Sequence, residues 1–289
     1  MKVFSKFGLF TAFTVMANLA LSACEVTPYG ADVAPDYCKS LSIRTNIQKL
    51  KSLEQANPSK QNFKVAIIAD SHVNSDSLAR AVERINRRSD IDFVMILGDL
   101  TDQGLESQYQ FTCKNLSKFE KPFISVIGNH DSLSNGKLLW TQYFGDASKG
   151  FDGYNYSFSY LGTKFIAYND NGFEFQNVPD QSFIQREAAI SAGEVRNHTV
   201  AASHVQPNSE VHTDPVFRAN FLQMLANSKI DMTIHGHRHS FFYDKDAFNN
   251  NHYVVAWTKD ESWGVMNISP SKIVMENCTG DTCMVVEPN

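Results

Sequence analysis

The amino-acid sequence predicts an α/β fold, organised as one domain of two β layers flanked by helices. Continuous hydrophobic strands alternate with amphipathic helices along the first half of the chain, as is typical of this class. Polar residues follow the carboxyl ends of five strands, which is the edge where open α/β sheets bind ligands. Once a leader is set aside, about 265 residues remain, which is enough for one well-buried core.

The N-terminal segment is predicted to be an export signal. Lys2 and Lys6 give it a basic start, and residues 7–20 form an apolar stretch too short to span a membrane. The stretch ends in Leu-Ser-Ala-Cys24, which resembles the bacterial lipoprotein signal, so that Cys24 becomes the lipidated first residue. The alternative is an ordinary secretory signal cleaved after Ala23, which gives a soluble secreted protein. Both place the domain outside the bacterial cytoplasm, in the periplasm or at the cell surface.

The predicted boundaries follow from composition and periodicity. Residues 1–23 are the signal peptide, 24–35 a polar tether, 36–62 an N-terminal helix and linker, and 63–289 the main domain with a C-terminal disulfide extension. The predicted strands are 63–69, 91–97, 123–127, 154–160, 164–168, 199–202, 232–234, 253–257, 264–268 and 273–276. The predicted helices are 37–55, 78–88, 106–119, 181–192 and 215–226.

Four cysteines remain besides Cys24, and an even set in an oxidising compartment favours two disulfides. Three connectivities exist. The short loop between Cys278 and Cys283 favours that pair, which leaves Cys38 to pair with Cys113. A zinc cluster is the competing interpretation, and the absence of a Cys-x2-Cys spacing disfavours it.

Five short motifs carry the candidate functional residues. Carboxylate, amide and imidazole ligands from separate segments suit a pair of divalent metals poised to attack phosphorus. Any one of these residues alone would more often be structural, but the ordered set reverses that balance. The motifs are Asp70-Ser71-His72, Gly98-Asp99, Gly128-Asn129-His130-Asp131, His204 and Gly236-His237-Arg238-His239.

In this order the motifs resemble those of the calcineurin-like metallophosphoesterases, with a match from about residue 63 to residue 276. The resemblance implies a four-layer α/β/β/α sandwich and hydrolysis of a phosphate ester by a hydroxide that bridges two metals. Imidazole ligands favour manganese, iron, zinc or nickel as the two divalent ions. The resemblance assigns one metal to Asp70, His72, Asp99 and His239, and the second to Asp99, Asn129, His204 and His237.

The resemblance also implies catalytic helpers. His130 corresponds to a residue that contacts the phosphate, so it is predicted to donate a proton or stabilise the transition state. Asp131 is predicted to orient His130. Asp102 is where purple acid phosphatases carry tyrosine, and it is predicted here to cap the next helix. His235 is predicted to lie near the site without binding metal.

The departures from known subfamilies favour a compact bacterial phosphoesterase that acts on a phosphodiester. Residues 102–104 read Asp-Gln-Gly, so the phosphate-binding arginine of protein Ser/Thr phosphatases is missing. The alternatives are a phosphomonoesterase of the same fold, or an inert metal-binding lipoprotein. The expected partner is a small phosphorylated substrate, bound by loops 132–150 and 172–179, and the oligomeric state stays open.

The remaining polar and aromatic residues are predicted to be structural. A net charge of −5 without a basic block gives no signature of nucleic-acid binding. Arg238 is predicted to point away from the metals. The other predictions are a solvated face for Arg80, Arg84, Arg87 and Arg88, surface positions for His198, His212 and His252, and helix core for Trp140, Tyr143 and Phe144.

Overall fold

A computed structural model describes residues 38, 41–209 and 211–289, without the side chain of Ser75. The predicted signal peptide, the tether and Cys24 lie outside these residues. Within the described part of the chain, no helix is both long and apolar enough to cross a bilayer.

The described elements alternate as the sequence predicts. The helices are α1 (Ile43–Ala56), α2 (Ser75–Arg87), α3 (Glu106–Leu116), α4 (Gly136–Tyr143), α5 (Gln181–Ala188) and α6 (Pro215–Asn227). The strands are β1 (Phe63–Ile68), β2 (Phe93–Ile96), β3 (Phe123–Ser125), β4 (Tyr156–Tyr160), β5 (Thr163–Ala167), β6 (His198–Ala202), β7 (Met232–His235), β8 (Phe242–Lys245), β9 (Asn251–Val254), β10 (Ser262–Ser269), β11 (Lys272–Thr279) and β12 (Thr282–Val286). Short 3₁₀ turns cover His130–Ser132, Ala147–Lys149 and Thr258–Asp260.

The strands form two mixed six-stranded sheets. The first has the order β12-β11-β10-β1-β2-β3, and the second the order β4-β5-β6-β7-β9-β8. Strands β1, β2 and β3 are parallel, as are β5, β6, β7 and β9. Parallel strands bring their carboxyl ends to one edge, so residues that follow them converge there.

The two sheets pack against each other through aromatic side chains. Phe63 and Phe93 of the first sheet contact Tyr160 and Phe165 of the second, with ring centroids 5.0–6.4 Å apart. Successive residues of β5 face opposite sides of the sheet. Phe165 joins this central core, whereas Ile166 joins a second hydrophobic cluster. Helices α5 and α6 complete that second cluster on the outer face of the second sheet. The structure therefore confirms the predicted α/β fold with two β layers and flanking helices.

Two strands were not predicted. Strand β8 is an antiparallel edge strand beside β9, and β12 is the outermost strand of the first sheet. Both are half-exposed edges without a clean hydrophobic alternation, so the sequence pattern gives little signal there. Helix α5 also ends earlier than predicted, because the Arg196 guanidinium donates to the carbonyls of Ala188 (2.8 Å) and Ala189 (3.2 Å).

The structure contains one of the two predicted disulfides. Cys278 and Cys283 face each other across β11 and β12 and are bonded. Cys38 and Cys113 are instead buried free thiols, so the prediction of a bond between them is wrong. Their hydrogen bond and their burial raise the pKa of the Cys113 thiol. Pairing by elimination identified the right neighbours but did not fix their oxidation state.

The arginines of α2 form a solvated face only in part, since Arg80 and Arg87 are 48% and 55% exposed whereas Arg84 is mostly buried. The Arg84 side chain is only 11% exposed and contacts two carboxylates, those of Glu261 (3.0 Å) and Asp281 (3.1 Å). Arg80 binds Glu261 as well, at 3.1 Å. Local sequence pattern does not indicate these contacts, because Glu261 and Asp281 lie 177 and 197 residues downstream of Arg84. These ion pairs join α2 to the turn before β10 and to the turn between β11 and β12.

We expect Arg84→Ala to lower the free energy of unfolding by about 1–2 kcal/mol, since two charge-assisted contacts of a mostly buried side chain are lost. Arg87→Ala is the matched control, because Arg87 is 55% exposed and its pairs should contribute only ~0–0.5 kcal/mol. Urea unfolding of the metal-loaded protein measures both. Equal losses in the two variants would contradict the anchoring role of Arg84.

Candidate dinuclear metal site

The motif residues converge at the carboxyl edge of both sheets. Asp70 follows β1, Asp99 follows β2 and Asn129 lies four residues after β3, whereas His204 and His237 follow β6 and β7 of the second sheet. The site is thus built by two sheets together.

Five of the seven predicted ligands have a left-handed backbone, with φ between 49° and 67°: Asp70, His72, Asp99, His237 and His239. This conformation costs a non-glycine residue about 1–2 kcal/mol. All five lie in the loops that follow β1, β2 and β7, at the common edge. Such strain persists only where the surroundings enforce it.

Close contacts of the backbone enforce these turns. Asp70 N–H donates to Gly98 O (3.0 Å), and His72 N–H donates to Asp99 O (2.9 Å). A Cβ on Gly128 would clash with the Asp99 carboxylate, and one on Gly236 would lie 2.7 Å from Asp70 Oδ2. Glycine is therefore required at both positions by the close approach of the carboxylates.

The first cluster contains Asp70, His72, Asp99 and His239. Each offers one donor atom, and the four atoms lie within 4.8 Å of one another. His239 Nε2 is 3.4 Å from both Asp70 Oδ1 and His72 Nε2. Two imidazole nitrogens therefore point at one carboxylate-lined space.

The second cluster shares Asp99 with the first and adds His204 and His237. His204 Nε2 lies 3.1 Å from Asp99 Oδ2 and 3.3 Å from His237 Nδ1. Asn129 Oδ1 is 3.2 Å from each of these two imidazole nitrogens. All seven candidate ligands are thus brought together, in the two groups that the family resemblance implied.

The donor atoms fit divalent transition metals. Atoms bound to one ion at about 2.0–2.2 Å lie roughly 3.0–3.5 Å from each other, and the contacts within both clusters fall in this range. Asp70 and Asp99 are almost completely buried, and among the described residues no lysine or arginine pairs with either. Burying such carboxylates requires a compensating cation.

The pKa shifts in the second cluster also indicate that a positive charge is favoured there. Burial opposes both charges, yet the attraction between the two groups lowers the pKa of Asp99 to about 2 and raises the pKa of His204 to about 10. A divalent cation held by these residues would supply this positive charge and take the place of the proton on His204. Burial lowers the pKa of His237 to about 4, which keeps that imidazole neutral as a ligand must be.

The outward nitrogens of two of the four imidazoles, His72 and His204, are also bound, which fixes the orientation of these rings. His204 Nδ1–H donates to Leu97 O at 2.7 Å. His72 Nδ1 lies 3.0 Å from Asp102 Oδ1. Asp102 therefore orients a candidate ligand and does not cap α3, whose N-cap is Leu105. The one sequence feature that could have indicated this role is the position of Asp102, four residues after Gly98 of the Gly-Asp motif.

His130 lines the site beside the first cluster, with its ring centroid 4.9 Å from that of His72. Its backbone N–H donates to Asp99 Oδ1 (2.9 Å), and its ring Nδ1–H donates to Asp102 O (2.7 Å). Nδ1 therefore carries a hydrogen, and Nε2 is left for a substrate. Asp102 holds two imidazoles at once, one through its carboxylate and one through its carbonyl.

Asp131 was predicted to orient the ring of His130, but the structure gives its carboxylate other partners. Its carboxylate accepts from Gly128 N–H (3.0 Å), Thr101 N–H (2.9 Å) and Thr101 Oγ1–H (3.1 Å). Burial raises the pKa of Asp131 to about 7. Asp131 instead ties the loop that carries Asn129 and His130 to the loop after Asp99.

His235 lies near the site and is fully buried, with Ser203 Oγ at 2.9 Å and Thr233 Oγ1 at 2.7 Å from its two nitrogens. Neither nitrogen is available to a metal, as predicted.

The surface positions predicted for His198, His212 and His252 are wrong, since all three are buried. His198 and His252 lie within strands β6 and β9, where they bond to other buried polar groups. Trp140, Tyr143 and Phe144 are core residues, as predicted.

Two cavities adjoin the clusters. One of about 440 Å³ is beside the first cluster, and its lining includes His72, Asn74, Asp102, Gln103, His130, Trp257 and Lys259. The other, of about 460 Å³, is beside the second cluster and is lined by Gln206, Asn208, Ser209, His237 and Arg238. These residues do not come from loops 132–150 and 172–179, because α4 fills much of the first loop and packs into the core. The Arg238 guanidinium lies over the Phe242 ring at 4.6 Å.

Comparison with known proteins supports the resemblance. Residues 63–241 match the family model of the calcineurin-like phosphoesterases, which is more than half of the chain. A Xenorhabdus bovienii protein described as a probable cyclic nucleotide phosphodiesterase is 23% identical over 90 residues. That match spans 31% of this chain and only 36% of the relative.

Solved structures share the fold at low sequence identity. A dimetal phosphatase from Danio rerio has a TM-score of 0.62 and 13% identity, covering 80% of this chain and 100% of that one. A purple acid phosphatase from yellow lupin (Lupinus luteus) seeds has a TM-score of 0.59 and 14% identity, covering 79% of this chain and 53% of that one. The chain thus spans about half the length of the lupin enzyme. The chain belongs to the calcineurin-like phosphoesterase family, a family of phosphoric ester hydrolases.

Proposed function

We propose that this protein hydrolyses a phosphodiester, using two divalent transition metal ions held by Asp70, His72, Asp99, Asn129, His204, His237 and His239. When bound, such an ion pair supplies an activated water and neutralises charge on the phosphoryl oxygens. Asp99 is shared by both clusters and would hold the pair together. Asn129 adds an uncharged oxygen, which limits the negative charge that an anionic substrate meets.

His130 is the proposed proton donor to the departing alcohol. Its Nδ1–H is committed to the Asp102 carbonyl, so only Nε2 can face the substrate. To act as an acid, the ring must carry a proton on Nε2 too. Asp102 keeps the ring at a fixed angle while the proton moves.

The observation that favours a diester is the pair of cavities. One lies at the first cluster and one at the second, so a phosphorus held between the clusters has room for a substituent on each side. A monoester would fill only one of them. The relative from X. bovienii, named as a probable cyclic nucleotide phosphodiesterase, agrees with this preference.

We expect the metal-loaded protein to hydrolyse bis(4-nitrophenyl) phosphate with a higher kcat/KM than 4-nitrophenyl phosphate, by roughly tenfold or more, since the diester gains contacts in the second cavity. Release of nitrophenolate measures both reactions. A clear preference for the monoester would overturn the diester assignment and favour a phosphomonoesterase of the same fold.

Two variants separate ligands from helpers. Asp99→Ala should abolish activity and metal retention together, because both clusters lose a donor atom. His130→Ala should keep its metals but lower kcat by ~10²–10⁴-fold if the ring acts as a general acid. Elemental analysis and turnover are measured together, with the exposed Asp152→Ala as control. Loss of metal from His130→Ala would refute its assigned role.

The same measurement addresses the inert alternative. A protein that had kept the fold and lost the reaction would be expected to have an incomplete donor set, whereas all seven donors are in place here. Less than one transition metal per chain after reloading, together with no turnover of either ester, would favour an inert lipoprotein.

We also propose that the mature protein is exported and anchored by a lipid on Cys24. In a bacterial host, the wild-type chain should incorporate an alkyne-tagged fatty acid and partition into the detergent phase of Triton X-114. Cys24→Ala should remove both properties. An unlabelled wild-type protein in the aqueous phase, with its N-terminus after Ala23, would instead show a soluble secreted form.

A further inference from the structure

A short turn at residues 257–260 forms one wall of the cavity beside the first cluster. The backbone N–H and the hydroxyl of Thr258 both donate to Ala69 O, at 2.9 and 2.7 Å. Ala69 directly precedes Asp70. The turn is therefore fixed to the strand end that carries a candidate metal ligand.

A second set of contacts fixes the far side of the turn. Glu261 has a left-handed backbone (φ 60°), and its carboxylate binds Arg80 and Arg84 of α2. Ser77 Oγ, also in α2, donates to Lys259 O at 3.4 Å. The turn is thus held between β1 and α2, which makes its side chains a rigid wall.

Trp257 has a fixed orientation in this wall. Its ring stacks on the imidazole of His239, with centroids 4.7 Å apart and planes 17° from parallel. Its Nε1–H donates to Asp260 Oδ2 at 2.5 Å. The indole therefore supports a candidate metal ligand and also lines the cavity.

The Lys259 ammonium is placed by this indole. Nζ lies 4.7 Å from the Trp257 ring centroid, a cation–π arrangement. In the described part of the chain, no carboxylate lies within 4.0 Å of Nζ. The carboxylate in this cavity, Asp102, already faces His72. Arg238 borders the other cavity. Lys259 is thus an uncompensated cation at the wall of the 440 Å³ cavity.

We propose that Lys259 is a specificity-determining residue that binds a second anionic group, a carboxylate or phosphate, on the substituent that occupies this cavity. This inference rests on the proposed phosphodiester hydrolysis. A compact ammonium with three donors suits an oxyanion, and its contact with the Trp257 ring places it at the cavity. The preferred substrate is therefore a diester with an additional negative charge beyond the reacting phosphate.

The test compares two diesters that release the same leaving group, 4-nitrophenyl phenyl phosphate and 4-nitrophenyl 4-carboxyphenyl phosphate. Nitrophenolate departs without needing a proton from His130, so the other aryl group can occupy the cavity that His130 and Lys259 line. The metal-loaded wild type should favour the carboxylated diester by about tenfold in kcat/KM, the size of one charge-assisted contact. The gain should lie in KM, because the contact forms equally in the ground and transition states. Lys259→Met should reduce the ratio to about one, and Lys259→Arg should retain most of it.

Lys272→Met is the matched control, since Lys272 lies beside Ser269, at the end of the sheet where β1 begins. It should leave the wild-type ratio intact. A wild-type ratio near one, or an unchanged ratio in Lys259→Met, overturns the inference and leaves the diesterase assignment standing. If neither diester is hydrolysed, the proposed function fails. Calorimetric titration of the metal-loaded proteins with both diesters then decides on Lys259, through the same tenfold difference in Kd.

Discussion

Two carboxylates, Asp70 and Asp99, are buried side by side at the meeting edge of two sheets, and the structure around them is arranged to satisfy their charge. Four imidazoles surround them, and backbone N–H groups of His130 and His237 donate to their oxygens. The left-handed turns, the glycines and the outer hydrogen bonds all follow from the need to bring these donors within about 3 Å of each other. The free energy of metal binding can exceed the conformational cost of these left-handed residues, which is why such strain is tolerated.

The sequence locates the candidate ligands because each motif combines a strand end with a chemistry-bearing residue. Asp70 and His204, for example, follow runs of hydrophobic residues that were predicted as strands and form β1 and β6. The resemblance to the family then supplies the grouping into two clusters. Local pattern indicates the common edge because the parallel strands of each sheet bring these residues together there.

The outer contacts could not be predicted in the same way. Asp102 bonds to His72 and His130, and the α2 arginines bond to Glu261 and Asp281, through loops whose paths depend on the assembled tertiary structure. His252 was expected at the surface, but it is buried within β9 and bonds to Thr233 and Asp246. Polar residues with buried partners look the same in sequence as polar residues in water.

The division of ligands between the sheets gives metal binding a further role. Asp70, His72, Asp99 and Asn129 come from the first sheet, whereas His204, His237 and His239 come from the second. Neither sheet alone supplies all the ligands of either ion. A bound ion would therefore link the two sheets, and its coordination would be complete only after they have packed together. Binding energy then appears as folding energy, and the protein is most stable where the ions are abundant.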